Sequence, residues 1–561
     1  MQFEEIQQMN IKLRPWQEEA HHKAIEWLVK DRADRHFLIN AAPGAGKTLA
    51  SCAIANTLLQ LGEIDRVIVI APRTSVVNQW AEDFKFVTGR FMTKVTGRDK
   101  EIRGMNLDVC ATWASVQGLM PELQAVCRSS KVLLICDEHH HAAVEAAWGR
   151  GADGAFAAAK FVLVLTGTPI RSDGGRSVWL AYDDAGAIDH PEAGTYTLTY
   201  GRAVDLNYCR PVAFHRHSGH FTVDLEEGVE VDIRHDQPAS LPTELARIPG
   251  LQAALDFYRL ARTPQFEADG KTPKLDGYQA TMLEWATQKL DDLRSRMPSA
   301  GGLVITSSIE MAEYVCNLIE HLEGEKPVLV HSHTPDAEGK INLFRNTDKR
   351  WLVSVAMVSE GVDIKRLRVL VYLPNAMTEL AFRQAIGRVV RTAGPDDDTH
   401  AYVVMPALKS FDDFARRVEA EMPPGQTKDA TPTTKRCPVC GTECDRGESV
   451  CTGCGHEFPV FRARLKPCRQ CGTLNPVTQN SCIACGHSMS PTFTLTLNEA
   501  LRIGAIVRGM DIDELDVAEG ERIAGEVREL VLSSGDENLI RVVRHLPEQS
   551  WAKLKEILNQ A

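Results

Sequence analysis

Long apolar runs and an excess of positive charge are both missing from this sequence of 561 residues. No apolar run comes near the ~18 residues that a membrane-spanning helix needs, which argues against a membrane protein. The opening stretch MQFEEIQQMNIKLRPW carries acids and lacks the apolar core of a secretory signal, so we expect a cytoplasmic protein. The net charge of −12 gives no global attraction to nucleic acid, so any such site must be local.

A disulfide framework is not expected either, although the sequence has 15 cysteines. Nine of them lie between Cys437 and Cys485, as four CxxC pairs and Cys444. In a chain for which no secretory signal is expected, such clustering favours metal ligation over disulfides.

The order of apolar runs predicts the architecture. Short β-rich runs alternate with helical segments from about residue 37 to 165 and again from about 298 to 410, which is typical of parallel sheets flanked by helices. We therefore predict two α/β domains (1–200 and 298–420), a partly helical connecting segment (201–297), a Pro/Thr-rich linker (421–436), a cysteine-rich repeat (437–490) and an α-helical C-terminal module (491–561).

The stretch AAPGAGKT follows a predicted strand and precedes a predicted helix, which is the context of a Walker A loop. Gly44 and Gly46 allow backbone N–H groups to close around phosphate oxygens, at the positive end of the helix. Lys47 is expected to reach the β- and γ-phosphates, and the Thr48 hydroxyl to hold Mg²⁺. Ala41 departs from the generic pattern, which has glycine there.

The stretch KVLLICDEHHHAA delivers two acids and three histidines at the end of a predicted strand. With a phosphate loop in the chain, Asp137 is the candidate to hold Mg²⁺ and Glu138 the candidate to polarise the attacking water. A metal site made from the three histidines is disfavoured, because adjacent side chains on a helix or strand diverge.

The cysteine repeat consists of two CxxC pairs separated by ten residues, and the whole unit recurs 31 residues later. Each unit supplies four thiolates for one tetrahedral Zn²⁺, and Cys444, His456 and His487 are left outside both sets. The units either contact nucleic acid through the basic residues between them or need zinc only for stability. The predicted ligands are Cys437, Cys440, Cys451 and Cys454 for one ion, and Cys468, Cys471, Cys482 and Cys485 for the other.

Residues Asp137 to His140 form a DExH sequence, in which x is His139. This sequence resembles motif II of the superfamily 2 helicases. The resemblance extends in order through LRPWQ, APRTSVVNQW, ATWASVQ, LTGTPIR, GLVITSSIEMAEYV, VAMVSEGVDIKRL and QAIGRVVR. It implies two tandem RecA-like domains that bind ATP between them. It also implies roles for individual residues: Gln17 on the adenine edge, His140 as a link from motif II to the cleft, Arg73, Thr74 and Thr112 on the nucleic-acid backbone, Thr166 and Thr168 between motif II and the cleft, and Gly361 and Asp363 at the domain interface.

The last of these motifs, QxxGRxxR, implies a contribution of the second domain to hydrolysis. Arg388 and Arg391 are three positions apart on a predicted helix and so share one face, from which both can point at the γ-phosphate. Gln384 lies one turn earlier on the same side. Such arginines are worth on the order of 10³–10⁵ in rate in NTPases.

Together the motifs resemble a superfamily 2 DExH-box helicase with C-terminal zinc ribbons, similar in domain order to RadD-type bacterial DNA repair helicases and to helicases of phages and mobile elements. This implies an ATP-dependent DNA helicase or translocase in replication, recombination or repair, in the cytoplasm of a bacterial or phage-infected cell. RNA stays open as a substrate, and a protein partner could dock on the ribbons or the helical tail. Two other functions stay open: the motor subunit of a restriction or phage-defence system, which would need a partner because we find no nuclease motif, and an ATP-gated clamp without unwinding activity.

Overall fold

The computed structural model of the protein describes residues 12–496 apart from short gaps. Residues 497–561 of the predicted helical module (491–561), and all of residues 242–254, therefore lie outside the described residues. Among the helices that are described, none combines the length and the apolar character that a membrane crossing requires. The gaps are residues 43, 97–98, 100–101, 103–107, 117, 140–153, 168–178, 183–187, 225–229, 238–239, 242–254, 332, 356–363, 376, 393–396, 398, 423–433, 446 and 460–463.

The first domain is built on seven parallel strands, whose order in space differs from their order in the chain. They are β1 (His36–Ala41), β2 (Arg66–Ala71), β3 (Met92–Val95), β4 (Asp108–Thr112), β5 (Val132–Cys136), β6 (Phe161–Thr166) and, after a short hairpin of β7 (Ala181–Tyr182) and β8 (Ile188–Asp189), β9 (Thr195–Leu198). The spatial order is β3-β4-β2-β5-β6-β1-β9. Every residue of β4, β5 and β6 is buried, as expected of strands covered on both faces.

The second domain is built on a six-stranded parallel sheet. Its strands are β10 (Val212–His217), β13 (Gly301–Thr306), β14 (Val328–Val330), β15 (Trp351–Val355), β16 (Leu367–Tyr372) and β17 (Ala401–Pro406), and a hairpin of β11 (His220–Asp224) and β12 (Glu230–Ile233) follows β10 in the chain. The spatial order is β10-β17-β16-β13-β15-β14. The interval 201–297 thus supplies the edge strand β10 to this sheet, and its helix Tyr278–Arg294 packs on β16.

Helices link the strands, and several of them begin at a side chain that caps the first turn. Thr199, Ser308 and Thr378 each accept a hydrogen bond from a backbone N–H three residues ahead. The helices are Pro15–Ile25 with a π-helical extension Glu26–Asp31, Lys47–Gln60, Thr74–Thr88, Trp113–Val116, Met120–Ser129, Tyr200–Asp205, Phe257–Ala261, Tyr278–Arg294, Ile309–Glu323, Ala337–Arg345, Glu379–Val389 and Lys409–Glu421, with a 3₁₀ turn at Glu192–Gly194.

The cysteine-rich repeat forms two small hairpins, and the chain then returns to the second domain. The hairpins are β18 (Thr434–Arg436) with β19 (Glu443–Asp445), and β20 (Leu465–Pro467) with β21 (Leu474–Pro476). Strand β22 (Thr492–Thr496) pairs in parallel with β11. The predicted fold class, two tandem RecA-like domains followed by two ribbons, is therefore confirmed for the part of the chain described.

Candidate functional site

The phosphate loop joins β1 to the helix Lys47–Gln60, as the sequence predicts. Gly44 and Gly46 have φ of 81° and 103°, a region in which a Cβ is costly, so the two glycines permit the tight turn. The Lys47 ammonium donates a hydrogen bond to the carbonyl of Ala41, 2.9 Å away, and is thereby held over the loop. The loop is therefore shaped to surround an anion with backbone N–H groups and one ammonium group.

The start of the N-terminal helix Pro15–Ile25 holds this loop through hydrogen bonds to its backbone carbonyls. The Gln17 amide donates to the carbonyl of Gly46 at 2.9 Å, and its own oxygen accepts from the backbone N–H of Arg14 at 2.8 Å. Arg14 and Trp16 both donate to the carbonyl of Ala45, at 3.0 and 3.3 Å. Gln17, predicted to contact adenine, is thus placed beside the loop, and its contact with a base stays a prediction. Sequence reasoning missed Arg14 and Trp16.

The two acids stand at the carboxyl end of β5, next to the loop. Asp137 is buried, and its carboxylate accepts a hydrogen bond of 2.8 Å from the indole N–H of Trp80. The indole of Trp113 donates to the carbonyl of Asp137 at 3.1 Å. Sequence reasoning missed both tryptophans, although a buried indole N–H regularly needs an acceptor. They fix the position of Asp137 from two directions.

The charge of Asp137 is tuned by its surroundings. Burial, together with the neighbouring carboxylate of Glu138, raises the pKa of Asp137 to about 6, while the Trp80 hydrogen bond and the Lys47 charge oppose the rise. A divalent cation beside this carboxylate would favour its charged form, and the Thr48 hydroxyl and a carboxylate are donors of the kind that Mg²⁺ takes. The residues present therefore fit the predicted magnesium site.

Glu138 has a backbone conformation that is rare for a residue with a side chain. Its φ is 49°, in the left-handed region, at a cost of about 1–2 kcal/mol. Such strain concentrates at functional sites, where the surrounding structure holds the residue in place. His139, next in the chain, is buried with its ring 6.1 Å from that of Trp179. His140 lies outside the described residues.

The helix Glu379–Val389, here called the motif VI helix, carries Arg388 and ends before Arg391, so the prediction that both arginines lie on one helix is wrong for Arg391. Arg391 nevertheless reaches the phosphate loop of the first domain from the segment just after the helix. A Cβ added to Gly44 would lie 2.7 Å from Cγ of Arg391, so the two residues are in contact. Arg391 Nε donates to the carbonyl of Gly387 at 3.2 Å, and Arg388 is buried. Gln384 lies on the same helix. Burial raises the pKa of the Cys209 thiol to about 12 against the charges of Arg391 and Lys47, which places both cations near one thiol.

The described residues that were predicted to contact nucleic acid, or to link motif II to the cleft, lie at or just after the carboxyl ends of strands of the first sheet. Arg73 and Thr74 come after β2 at the start of a helix, and Thr74 is exposed. Thr112 and Thr166 end β4 and β6 and are buried, with 5% and 2% of their surface exposed. The structure thus brings these residues to one edge of the sheet and leaves the first pair accessible. Thr168, Gly361 and Asp363 lie outside the described residues.

The cysteine repeat forms two groups of four sulfur atoms, and within each group all sulfurs lie within 4.8 Å of one another. The Cys437–Cys454 and Cys440–Cys451 sulfur distances are 3.6 Å. A tetrahedral Zn²⁺ with Zn–S bonds of about 2.3 Å separates its sulfurs by about 3.8 Å, so the geometry fits zinc. The members of the groups are the eight cysteines predicted as ligands.

Cys444 is a near neighbour of the first group rather than a member. Its sulfur lies 3.7 Å from that of Cys451. The equivalent residue of the second unit is Asn475, whose amide donates to Cys482 at 3.6 Å. Both residues therefore sit beside a ligand sulfur, where a weak donor stabilises a thiolate.

Zinc content tests these assignments. We expect two zinc ions per chain, and one ion in Cys451→Ser and in Cys482→Ser, because each substitution removes one of four ligands. Cys444→Ser is the matched control and should retain two. Metal analysis of the purified variants by atomic emission gives the count. Loss of an ion in the Cys444→Ser variant would show that the first set of ligands is misassigned.

Comparisons with known proteins agree with this geometry. Residues 10–171 match the family model described as "Type III restriction enzyme, res subunit", and residues 285–393 match "Helicase conserved C-terminal domain". The uncharacterized protein Rv2917 of Mycobacterium tuberculosis is 32% identical over 423 residues, which are 73% of this chain and 64% of that protein. The chain thus spans less than two thirds of that relative's length.

Two more distant proteins are also similar. The DNA 3'-5' translocase XPB2 of Sulfurisphaera tokodaii is 22% identical over 388 residues, covering 68% of this chain and 79% of that protein. The structure of S. cerevisiae Dbp5 bound to RNA and ADP BeF3 covers 76% of this chain and 94% of that one, with 13% identity and a TM-score of 0.43. The two family matches and the two parallel sheets make residues 10–171 and 285–393 similar to the domains of helicase-type proteins.

Proposed function

We propose that the protein is an ATP-dependent DNA helicase or translocase. The observation that carries the proposal is the contact of Arg391, in the second domain, with Gly44, in the phosphate loop of the first. A nucleotide on this loop would lie between the two domains, so its binding and hydrolysis change how the domains sit against each other.

The side chains around the loop divide the work of hydrolysis. Lys47 and the N–H groups of the loop bind the β- and γ-phosphates. Thr48 and Asp137 would hold Mg²⁺, which would supply charge neutralisation on the phosphates. Glu138 accepts a proton from the attacking water and orients it. Arg388 and Arg391 offset the negative charge that develops on the γ-phosphate.

Movement follows from the two-domain geometry. ATP favours the closed arrangement because both domains contact it, and hydrolysis removes the contact that the γ-phosphate provides. Nucleic acid that lies across both domains is then gripped in turn by each, through contacts to phosphates such as those predicted for Arg73 and Thr74. Phosphate contacts carry no base information, so the motion is largely independent of sequence.

DNA is the substrate that the comparisons favour, since the relative from Sulfurisphaera tokodaii is named a DNA translocase. The order of motor domains and zinc ribbons, similar to that of RadD-type helicases, supports a role in replication, recombination or repair. The second candidate is the motor subunit of a restriction or phage-defence system. It is favoured by the match of residues 10–171 to a restriction-enzyme subunit family.

The ATPase rate in the presence of different nucleic acids tests the proposal. We expect single-stranded or forked DNA to stimulate hydrolysis more than RNA does, and the stimulation to weaken as salt rises, because binding rests on phosphate contacts. Equimolar duplex DNA and a reaction without nucleic acid are the controls. Stimulation by RNA alone would replace DNA with RNA as the substrate, and a rate unaffected by every nucleic acid would reject the motor.

A further inference from the structure

The chain crosses from the first domain to the second at residues 208–210, here called the crossover segment. It follows the helix Tyr200–Asp205 and precedes β10. At its start, the Arg14 guanidinium lies over the ring of Tyr208, 4.5 Å from the ring centre. Since Arg14 also donates to the carbonyl of Ala45, the segment begins in contact with the support of the phosphate loop.

The middle of the segment runs beside the residues that follow the motif VI helix. Cys209 forms an isolated antiparallel β-bridge with Arg391. The hydroxyl of Thr392 donates to the carbonyl of Tyr208 at 3.5 Å. The backbone of Arg391 is therefore held by the crossover segment, while its side chain rests on Gly44.

The end of the segment, Arg210, caps the motif VI helix. Its backbone N–H donates to the carbonyl of Val390 at 2.7 Å, and its guanidinium donates to the carbonyl of Val389 at 2.6 Å. The last carbonyls of a helix have no partner within the helix, and a cation there also complements the helix dipole. Arg210 is fully buried and fixed from the other side by the carbonyl of Leu367 at 2.7 Å and the carboxylate of Asp397 at 2.6 Å.

We propose that Arg210 is a positioning residue for ATP hydrolysis, which sets Arg391 against the phosphate loop by holding the end of the motif VI helix. The inference rests on the proposed function. A catalytic group that moves by about 1 Å can lose about 10²-fold in rate, so a residue that fixes the helix end controls turnover without touching the nucleotide. Arg210 should not affect the affinity for the nucleotide, because the nucleotide is bound mainly by the phosphate loop of the first domain.

The chain offers a matched control in Arg368. This arginine is also fully buried and donates to the same carboxylate, Asp397, at 2.9 Å. Its other hydrogen bonds go to Thr399 and to the carbonyls of Lys365 and Leu367, so it holds the same cluster from the side of β16 rather than from the motif VI helix. Lysine at either position keeps the positive charge opposite Asp397 but loses the planar fork of donors.

The experiment compares Arg210→Lys with Arg368→Lys in the full chain. Steady-state ATPase gives kcat and KM at saturating nucleic acid, binding of fluorescent ADP counts the competent molecules, and thermal melting gives the folded fraction. We expect Arg210→Lys to lower kcat per competent molecule by about 10- to 100-fold, with KM and ADP affinity unchanged, and Arg368→Lys to keep its kcat. Equal kcat values in the two variants, or a loss explained by unfolding, would overturn the inference.

A second variant keeps the test decisive if Arg210→Lys does not fold. Tyr208 is half-buried, so Tyr208→Ala removes the ring under Arg14 with little damage to the core, and it should lower kcat in the same direction but less. A wild-type kcat in Tyr208→Ala would overturn the inference in that case. Wild-type protein without any stimulated ATPase would instead refute the proposed function, so the two failures are distinct.

Discussion

Replacing Arg391 by alanine is expected to lower kcat for ATP hydrolysis by about 10³-fold or more, the range seen when NTPases lose an arginine finger. The physical reason is the contact of this arginine with Gly44, which puts its positive charge beside the loop proposed to hold the γ-phosphate. The barrier rises because charge that develops on the phosphate in the transition state loses its partner. KM for ATP should change far less, since Lys47 and the loop remain.

The control for this prediction is an arginine on the motif VI helix, which ends just before Arg391. Arg383 donates to Glu379 at 2.9 Å and to Glu421 at 2.6 Å, so its charge is already paired within the second domain. Arg383→Ala should therefore keep kcat near the wild-type value when both variants are assayed at saturating ATP and nucleic acid. If Arg383→Ala and Arg391→Ala lose kcat equally, the motif VI helix matters for folding and not for charge at the phosphate.

Glu138→Gln is expected to reduce turnover by about 10²–10⁴-fold while ATP still binds. Glutamine keeps the size of the side chain in its strained position but cannot take a proton from water.

Lys47→Ala should lose both binding and turnover, because it removes the only ammonium predicted to contact the β- and γ-phosphates. Binding of fluorescent ATP, measured beside the hydrolysis rate, separates the two effects.

Undiminished hydrolysis in both Glu138→Gln and Lys47→Ala would show that ATP is hydrolysed at another site and would contradict the assignment of these two residues. A rate lost in Lys47→Ala but kept in Glu138→Gln would mean that another group orients the water. His139→Gln is the control at the neighbouring position, and its hydrolysis rate should fall far less than that of Glu138→Gln. The His139 ring packs near Trp179 and has no predicted part in the proton transfer.

Much of the fold follows from local features of the sequence. The buried strand β5 is a continuous apolar run and β6 is apolar up to its last residue, and the loop AAPGAGKT places its glycines at positions with positive φ. The cysteine spacing likewise predicts two groups of four sulfurs, because the ligands of each unit come in two tight CxxC turns. Features of this kind are encoded within a few residues and need no knowledge of distant packing.

Other features depend on contacts between distant segments and have little local signal. Strand β10 reads VAFHRH, a polar edge strand without clear alternation, and β22 pairs with β11 across about 270 residues of chain. The indoles of Trp80 and Trp113 reach Asp137 only because two helices and a strand meet there. The cap that Arg210 provides for the motif VI helix has no sequence motif at all.

Displacement of a labelled strand from forked DNA, which has single-stranded arms beside a duplex, directly tests the central claim, that hydrolysis between the two domains drives movement. We expect the wild-type protein to displace the labelled strand in the presence of ATP, and Glu138→Gln to bind the same DNA but displace nothing. Stimulated ATP hydrolysis by the wild-type protein without any displacement or unwinding would contradict the claim and favour an ATP-gated clamp.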